Sequence, residues 1–193
     1  MVELAPRLRQ DNQLDAAEEA ASRAINPFPE KGEEYRVCGS RHTLGEIYQS
    51  RGEIEKAIHH FEVALGIASS FNWHEKLFWA HYRLAGLFYN EDRFDDANTH
   101  IERAKSHTVN SAYNLGHAME IQAWIWYEQH RPEEARSEIL RAADVYGRLG
   151  AAKDVEDCRE FLQRIQKELG TTVASSQSDS NCELLSMIPF PLY

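Results

Sequence analysis

Apolar residues recur at helical spacing through most of the chain. Between residues 33 and 50 they fall at Val37, Leu44, Ile47 and Tyr48, one face of a helix rather than the alternation of a strand. A turn follows at Ser50-Arg51-Gly52, and then Ala57, Phe61 and Ala64 sit four and three residues apart, one stripe of a second helix. The two-helix pattern then returns. Leu44-Gly45-Glu46-Ile47-Tyr48 is matched by Leu84-Ala85-Gly86-Leu87-Phe88, and Ala57, Phe61 and Ala64 by Ala97, Ile101 and Ala104, each 40 residues further on. A third copy uses Gln122-Ala123 and Trp126, then Ala135, Ile139 and Ala142, at an offset of 38 residues. Ala17, Ala21 and Ala24 lie 40 residues before Ala57, Phe61 and Ala64, so a fainter copy precedes the first. Its opening half is Leu4, Ala5 and Leu8, interrupted by Pro6, which a helix interior does not accept.

The small residues have a reason at each place. Gly45, Ala85 and Ala123 let a neighbouring helix come close, and the alanines of the second helix flank one bulky residue that fills the gap. Further turns are predicted at Glu91-Asp92-Arg93 and His130-Arg131-Pro132, with Pro132 in the first turn of its helix. One helix pair cannot bury its own apolar face, so the copies must stack. The predicted organisation is a degraded first repeat over 1–31, helix pairs over 32–71, 72–109 and 110–150, a capping helix over 151–170 and a disordered tail over 171–193. Gly150 marks the break before the last helix, whose stripe is Val155, Cys158, Phe161, Leu162, Ile165 and Leu169. A charged opposite face suits the open end of an array; the alternative is an exposed helix that binds a partner. The Ser-rich stretch TTVASSQSDSN leads to the apolar CELLSMIPFPLY. That end is either an untethered terminus or, over 184–193, a segment that docks on the protein itself.

The skeleton resembles the tetratricopeptide repeat (TPR). Leu44, Gly45, Tyr48, Gly52, Ala57, Phe61 and Ala64 match that family's motif residue for residue, and the likeness extends over roughly 12 to 149. The period of 38 to 40 residues is longer than the family's usual repeat, similar to the kinesin-light-chain-like branch, and implies longer helices. That branch carries an Asn before the Leu of the first helix; Thr43, Arg83 and Ile121 stand there instead. The resemblance implies an all-α, right-handed α-solenoid of antiparallel helix pairs, a TPR-like superhelix whose first helices line a concave surface. Transferred to this chain, the partner-binding groove comprises His42, Glu46, Gln49, Trp79, Tyr82, Arg83, Tyr89, His117, Glu120, Trp124 and Tyr127. Aromatics with a few polar groups suit binding hot spots, and aromatics at helical spacing equally suit a core. Tyr48, Phe88 and Trp126 fall at core positions of the motif. The carboxylate clamp of some relatives is not matched, because its positions hold His42, Glu46, Gly39, Thr43, Tyr82 and Gly86, with Arg83 the one basic neighbour.

Charge and composition narrow the function. The 193 residues carry a formal net charge of -10, which repels phosphate backbones and argues against nucleic acid as a partner. No apolar run approaches the ~20 residues of a membrane span. MVELAPRLRQ lacks the apolar region of a secretory signal, and Cys38, Cys158 and Cys182 form no CxxC pair, so a cytoplasmic location with reduced thiols is expected. Nine histidines include His74 and His81, and His100 and His107, each pair seven apart on one helical face, but no carboxylate pattern frames them as a metal site. Phosphate-loop, HExxH and GxSxG motifs are missing, so the chain is expected to be no enzyme and to use neither cofactor nor metal. The expected function is a scaffold that holds a protein or peptide ligand in the groove. The alternative rests on a second resemblance: the repeats and the LGAAKDVEDCREFLQ stretch are similar to the C-terminal TPR array of STAND signalling NTPases of the NACHT or NB-ARC type. That likeness implies a sensor and autoinhibitory arm cut from a longer array.

Overall fold

The computed structural model describes residues 14–25, 32–108 and 111–173. Eight helices and no strand occur among the described residues. They are α1 (Leu14–Ile25), α2 (Glu34–Ser50), α3 (Ile54–Ser70), α4 (His74–Asn90), α5 (Phe94–Ser106), α6 (Ala112–Glu128), α7 (Pro132–Arg148) and α8 (Ala152–Val173). The opening half of the faint first copy, with Leu4, Ala5 and Leu8, and the segment 174–193 with its apolar end lie outside the described residues. None of the helices is long and apolar enough to cross a membrane. The chain divides into two compact units, 1–108 and 109–193.

The turns are built alike. Gly52, Asn72, Asp92, His130 and Gly150 all take positive φ, between 57° and 73°. In each case the next residue donates its N–H to the carbonyl five residues back: Glu53 to Tyr48, Trp73 to Ala68, Arg93 to Phe88, Arg131 to Trp126, Ala151 to Tyr146. The left-handed residue itself donates three back, Gly52 to Gln49 and His130 to Tyr127 among them. This is the Schellman closure, which satisfies the last carbonyls of one helix and turns the chain into the next within three residues. Gly fits that conformation without strain, while Asn, Asp and His are the side chains best able to tolerate it. The passage from α5 to α6 breaks the series. There α5 has 13 residues where α2, α3, α4, α6 and α7 have 17, and Ser111 caps α6 by accepting from the Asn114 N–H at 3.2 Å.

In the first unit α2 pairs with α3 and α4 with α5. Ala17, Ala20 and Ala21 of α1 pack on Leu44 and Ile47 of α2. The Tyr48 hydroxyl donates to Glu18 at 2.5 Å and Arg51 pairs with Glu18 and Asp15, so the small α1 contact is reinforced by charge at its edge. Tyr48 is therefore half-buried rather than core, and Glu18 pushes its hydroxyl up to about 12. Trp126 is likewise half-buried, beneath Arg131, while Phe88 is buried as its motif position predicts. The stripes Ala57-Phe61-Ala64 and Ala97-Ile101-Ala104 are fully buried. Gly45 faces Phe61 so closely that an added Cβ would meet the ring at 2.7 Å.

In the second unit α6, α7 and α8 share one core of Met119, Ala123, Ala135, Ile139, Ala142, Ala143, Tyr146, Val155, Cys158, Phe161, Leu162 and Ile165. The stripe of α8 is thus spent on α7 and α6. Here the close approach is at Gly116, where a Cβ would meet the Tyr146 ring at 2.6 Å.

Candidate partner-binding face

The first unit positions seven of the expected groove residues on α2 and α4. Both helices bury their apolar stripes against neighbouring helices, which leaves His42, Glu46 and Gln49 on α2 and Trp79, Tyr82, Arg83 and Tyr89 on α4 half-buried. Arg83 reaches across to Glu46 at 2.5 Å, so charge joins the two first helices directly. His42 Nε2 lies 4.0 Å from the same carboxylate. Oε1 of Glu46 thus gathers a guanidinium and an imidazole. Beside them Tyr82 stacks on buried Phe78 at 5.6 Å, and Trp79 stands edge-on to both, at 5.0 Å from Phe78 and 5.8 Å from Tyr82. Phe78 therefore fixes the two exposed-edge aromatics, which limits the side-chain entropy that a ligand would have to remove. Tyr89 stands edge-on to Phe94 at the start of α5, at 5.9 Å.

The second unit places its four residues differently. Trp124 stacks on Phe161 of α8 at 3.7 Å, and Tyr127 meets the same ring edge-on at 5.4 Å. Arg164 lies 4.8 Å from the Trp124 ring and 5.9 Å from that of Tyr127. These two aromatics are the seat of the last helix. His117 and Glu120 point to α7 instead: the Tyr146 hydroxyl lies 3.0 Å from His117 Nδ1 and donates to Glu120 Oε2 at 3.2 Å. Burial pushes the Glu120 carboxyl up, against the Tyr146 hydrogen bond, and holds the His117 imidazole down. The Cys158 thiol next to them is driven up to about 12, by burial first and then by the Glu120 charge, which leaves it an inert packing group.

Two features escaped the sequence reading. Gly116 lies outside the Leu-Gly-x-x-Tyr motif, so its contact with Tyr146 carried no motif signal. The histidines are also paired between helices rather than along them: His74 with His107 at 3.3 Å and His81 with His100 at 3.0 Å. The seven-residue spacings were the available clue. No group of three or more His, Cys, Asp or Glu among the described residues could hold a metal ion.

No family model and no curated protein sequence matches the chain. Solved structures do. It is similar to the crystal structure of BtubC (BKLC) from P. vanneervenii, at 18% identity and a TM-score of 0.62, over 92% of this chain and 80% of that one. It is also similar to a Podosopora anserina putative kinesin light chain with nearly identical TPR-like repeats, at 17% identity and a TM-score of 0.61, over 92% of this chain and 95% of that one. A second crystal structure of the latter protein gives 16% and 0.65, over 91% and 94%. Identity at this level speaks to fold alone. The chain has an all-α, TPR-like helical-repeat fold, similar to that of kinesin-light-chain-like repeat proteins.

Proposed function

We propose that the chain is a non-catalytic scaffold that holds a peptide or helix of another protein, and that the α2–α4 face of the first unit makes the contact. What carries this reading is the Trp79–Tyr82 pair, fixed by Phe78 and set beside the Arg83–Glu46 ion pair. Rigid aromatics supply contact area at low entropic cost, and a charged pair at the edge sets register and orientation. Trp124 and Tyr127 hold α8 in this reading and contribute to the partner only through it. His117 and Glu120 belong to the α6–α7 contact. The acidic net charge favours a ligand with basic residues, which Glu46 can accept by exchanging its partner.

Affinity capture with the full chain, followed by mass spectrometry, identifies the partner. The reading requires that Trp79→Ala with Tyr82→Ala removes that partner while the helical content and melting temperature stay near those of the parent. Trp124→Ala should instead lower the melting temperature. Retained capture by the Trp79 and Tyr82 double variant overturns the assignment of the face.

A further inference from the structure

Four imidazoles form a continuous row across the crossing of α4 and α5. His74 and His81 lie two turns apart on α4, while His100 lies on α5 and His107 is the capping residue just past its end. Nδ1 of His74 lies 3.3 Å from Nδ1 of His107, and Nδ1 of His81 lies 3.0 Å from Nδ1 of His100. Between these pairs the His81 and His107 rings are parallel, with centroids 6.0 Å apart. His100 also packs on Phe88, and His81 is only 5% exposed. A nitrogen–nitrogen contact of this length needs one donor and one acceptor. It exists while each pair holds a neutral acceptor and fails once both rings carry Nδ1 protons.

We propose that this row is a proton-sensitive clasp: neutral imidazoles join α4 to α5, and their protonation opens the crossing. The surroundings sharpen the effect. From α5, Arg103 disfavours a charge on His81 and His100, while Asp96 favours one on His100. From α3, the contact with α4 is apolar, through Ala64 and Ala68 against Leu77. On the α2 side, the α4 cations are engaged elsewhere, Lys76 over the Tyr35 ring and Arg83 with Glu46. Burial holds His81 at about 4 and lowers His100 and His107 below the ordinary imidazole value. An opened or unfolded chain therefore takes up protons that the closed crossing refuses, beginning as the pH falls below about 6.5. The clasp is at full strength above that value and weakens progressively down to about 4, where His81 itself titrates. This inference stands apart from the choice of binding face, because it concerns only how α4 is held.

Two measurements on the full chain test it. Imidazole carbon resonances followed by NMR should titrate well below the free value for His81 and below it for His100; titration of both at the ordinary value overturns the proposal. Hydrogen exchange, corrected for the intrinsic pH dependence, should show the opening of Leu77 to Phe88 and Ala97 to Ala104 increasing by about tenfold or more between pH 7 and pH 4.5. In His81→Asn with His100→Asn, which keeps a donor and an acceptor near Nδ1 without a titrating group, that increase should fall to less than about threefold. An equal increase in parent and variant overturns the clasp. The NMR titration needs no variant, so the test holds even where the double change destabilises the fold.

Discussion

Each unit contains one place where a glycine on the first helix of a pair receives an aromatic ring from the second. At Gly45 the visitor is Phe61; at Gly116 it is Tyr146. Both rings are fully buried, and both glycines leave no room for a Cβ. The Phe61 crossing buries a ring with no polar tip, edged by the His42 ring at 5.2 Å. The Tyr146 crossing ends in a hydroxyl that meets His117 and Glu120, with Tyr113 and Asp154 joined nearby at 3.2 Å. The same backbone device thus serves a contact held by packing in one unit and a contact that includes polar groups in the other. In a buried setting that polar tip confers specificity only while every member is paired.

Truncating the rings gives the largest effect. Phe61→Ala and Tyr146→Ala should each cost about 3–5 kcal/mol, read from urea denaturation. The glycines come next. Gly45→Ala and Gly116→Ala should each cost about 1–3 kcal/mol through overpacking. The two sites should then part company in double variants. Phe61→Leu makes room for the new methyl, so with Gly45→Ala it should lose less than the sum of the two changes. Tyr146→Phe should give Gly116→Ala no such relief, because the collision is with ring carbon Cε1 rather than with the hydroxyl.

The hydroxyl sharpens the contrast further. Tyr146→Phe should cost about 1–2 kcal/mol by leaving Glu120 and His117 short of a partner. Phe61→Tyr should cost a similar amount for the opposite reason, a hydroxyl brought into a fully buried crossing. Glu120 adds a pH signature. Its carboxyl is raised by burial, so the folded chain keeps that proton to higher pH than the unfolded chain does. The associated stability is complete below the ordinary carboxylate value and is lost as the pH rises through the raised one. Glu120→Gln should therefore change little in melts at pH 4 and stabilise the second unit at pH 8. An equal effect at both values would place the Glu120 charge in solvent.

The smallest effect concerns the turns that both units share. His130→Gly and Asn72→Gly relieve a left-handed side chain, offset by the greater freedom of glycine in the unfolded chain. The net gain should be a few tenths to about 1 kcal/mol, seen as a modest rise in melting temperature. Gly52→Ala should move it the other way.

Much of the fold was legible because its determinants are local and repeated. Ala57-Phe61-Ala64 and its later copies mark the buried stripe, and Gly52 and Gly150 mark turns by their chemistry. Asp92 and His130 were read as turns from their surroundings, without the left-handed conformation that makes each of them fit. The site was less legible. Position in the repeat placed Trp124 and Tyr127 with Trp79 and Tyr82, yet the first two seat α8 through Phe161 and Arg164. Repeat position gives the face of a helix and not what lies on it. Arg83, noted from sequence as a lone basic residue, is tied to Glu46.

The sequence by itself determined the helices, their order, the small residues at the crossings and the closure of most turns. Each depends on residues within a few positions of one another, where spacing and side-chain volume decide. Only the tertiary structure decided which side chains meet between helices: Gly116 under Tyr146, Trp124 against Phe161, and four histidines brought into one row. Those contacts depend on how helices are rotated and stepped against each other, which a period of 38 to 40 residues leaves open.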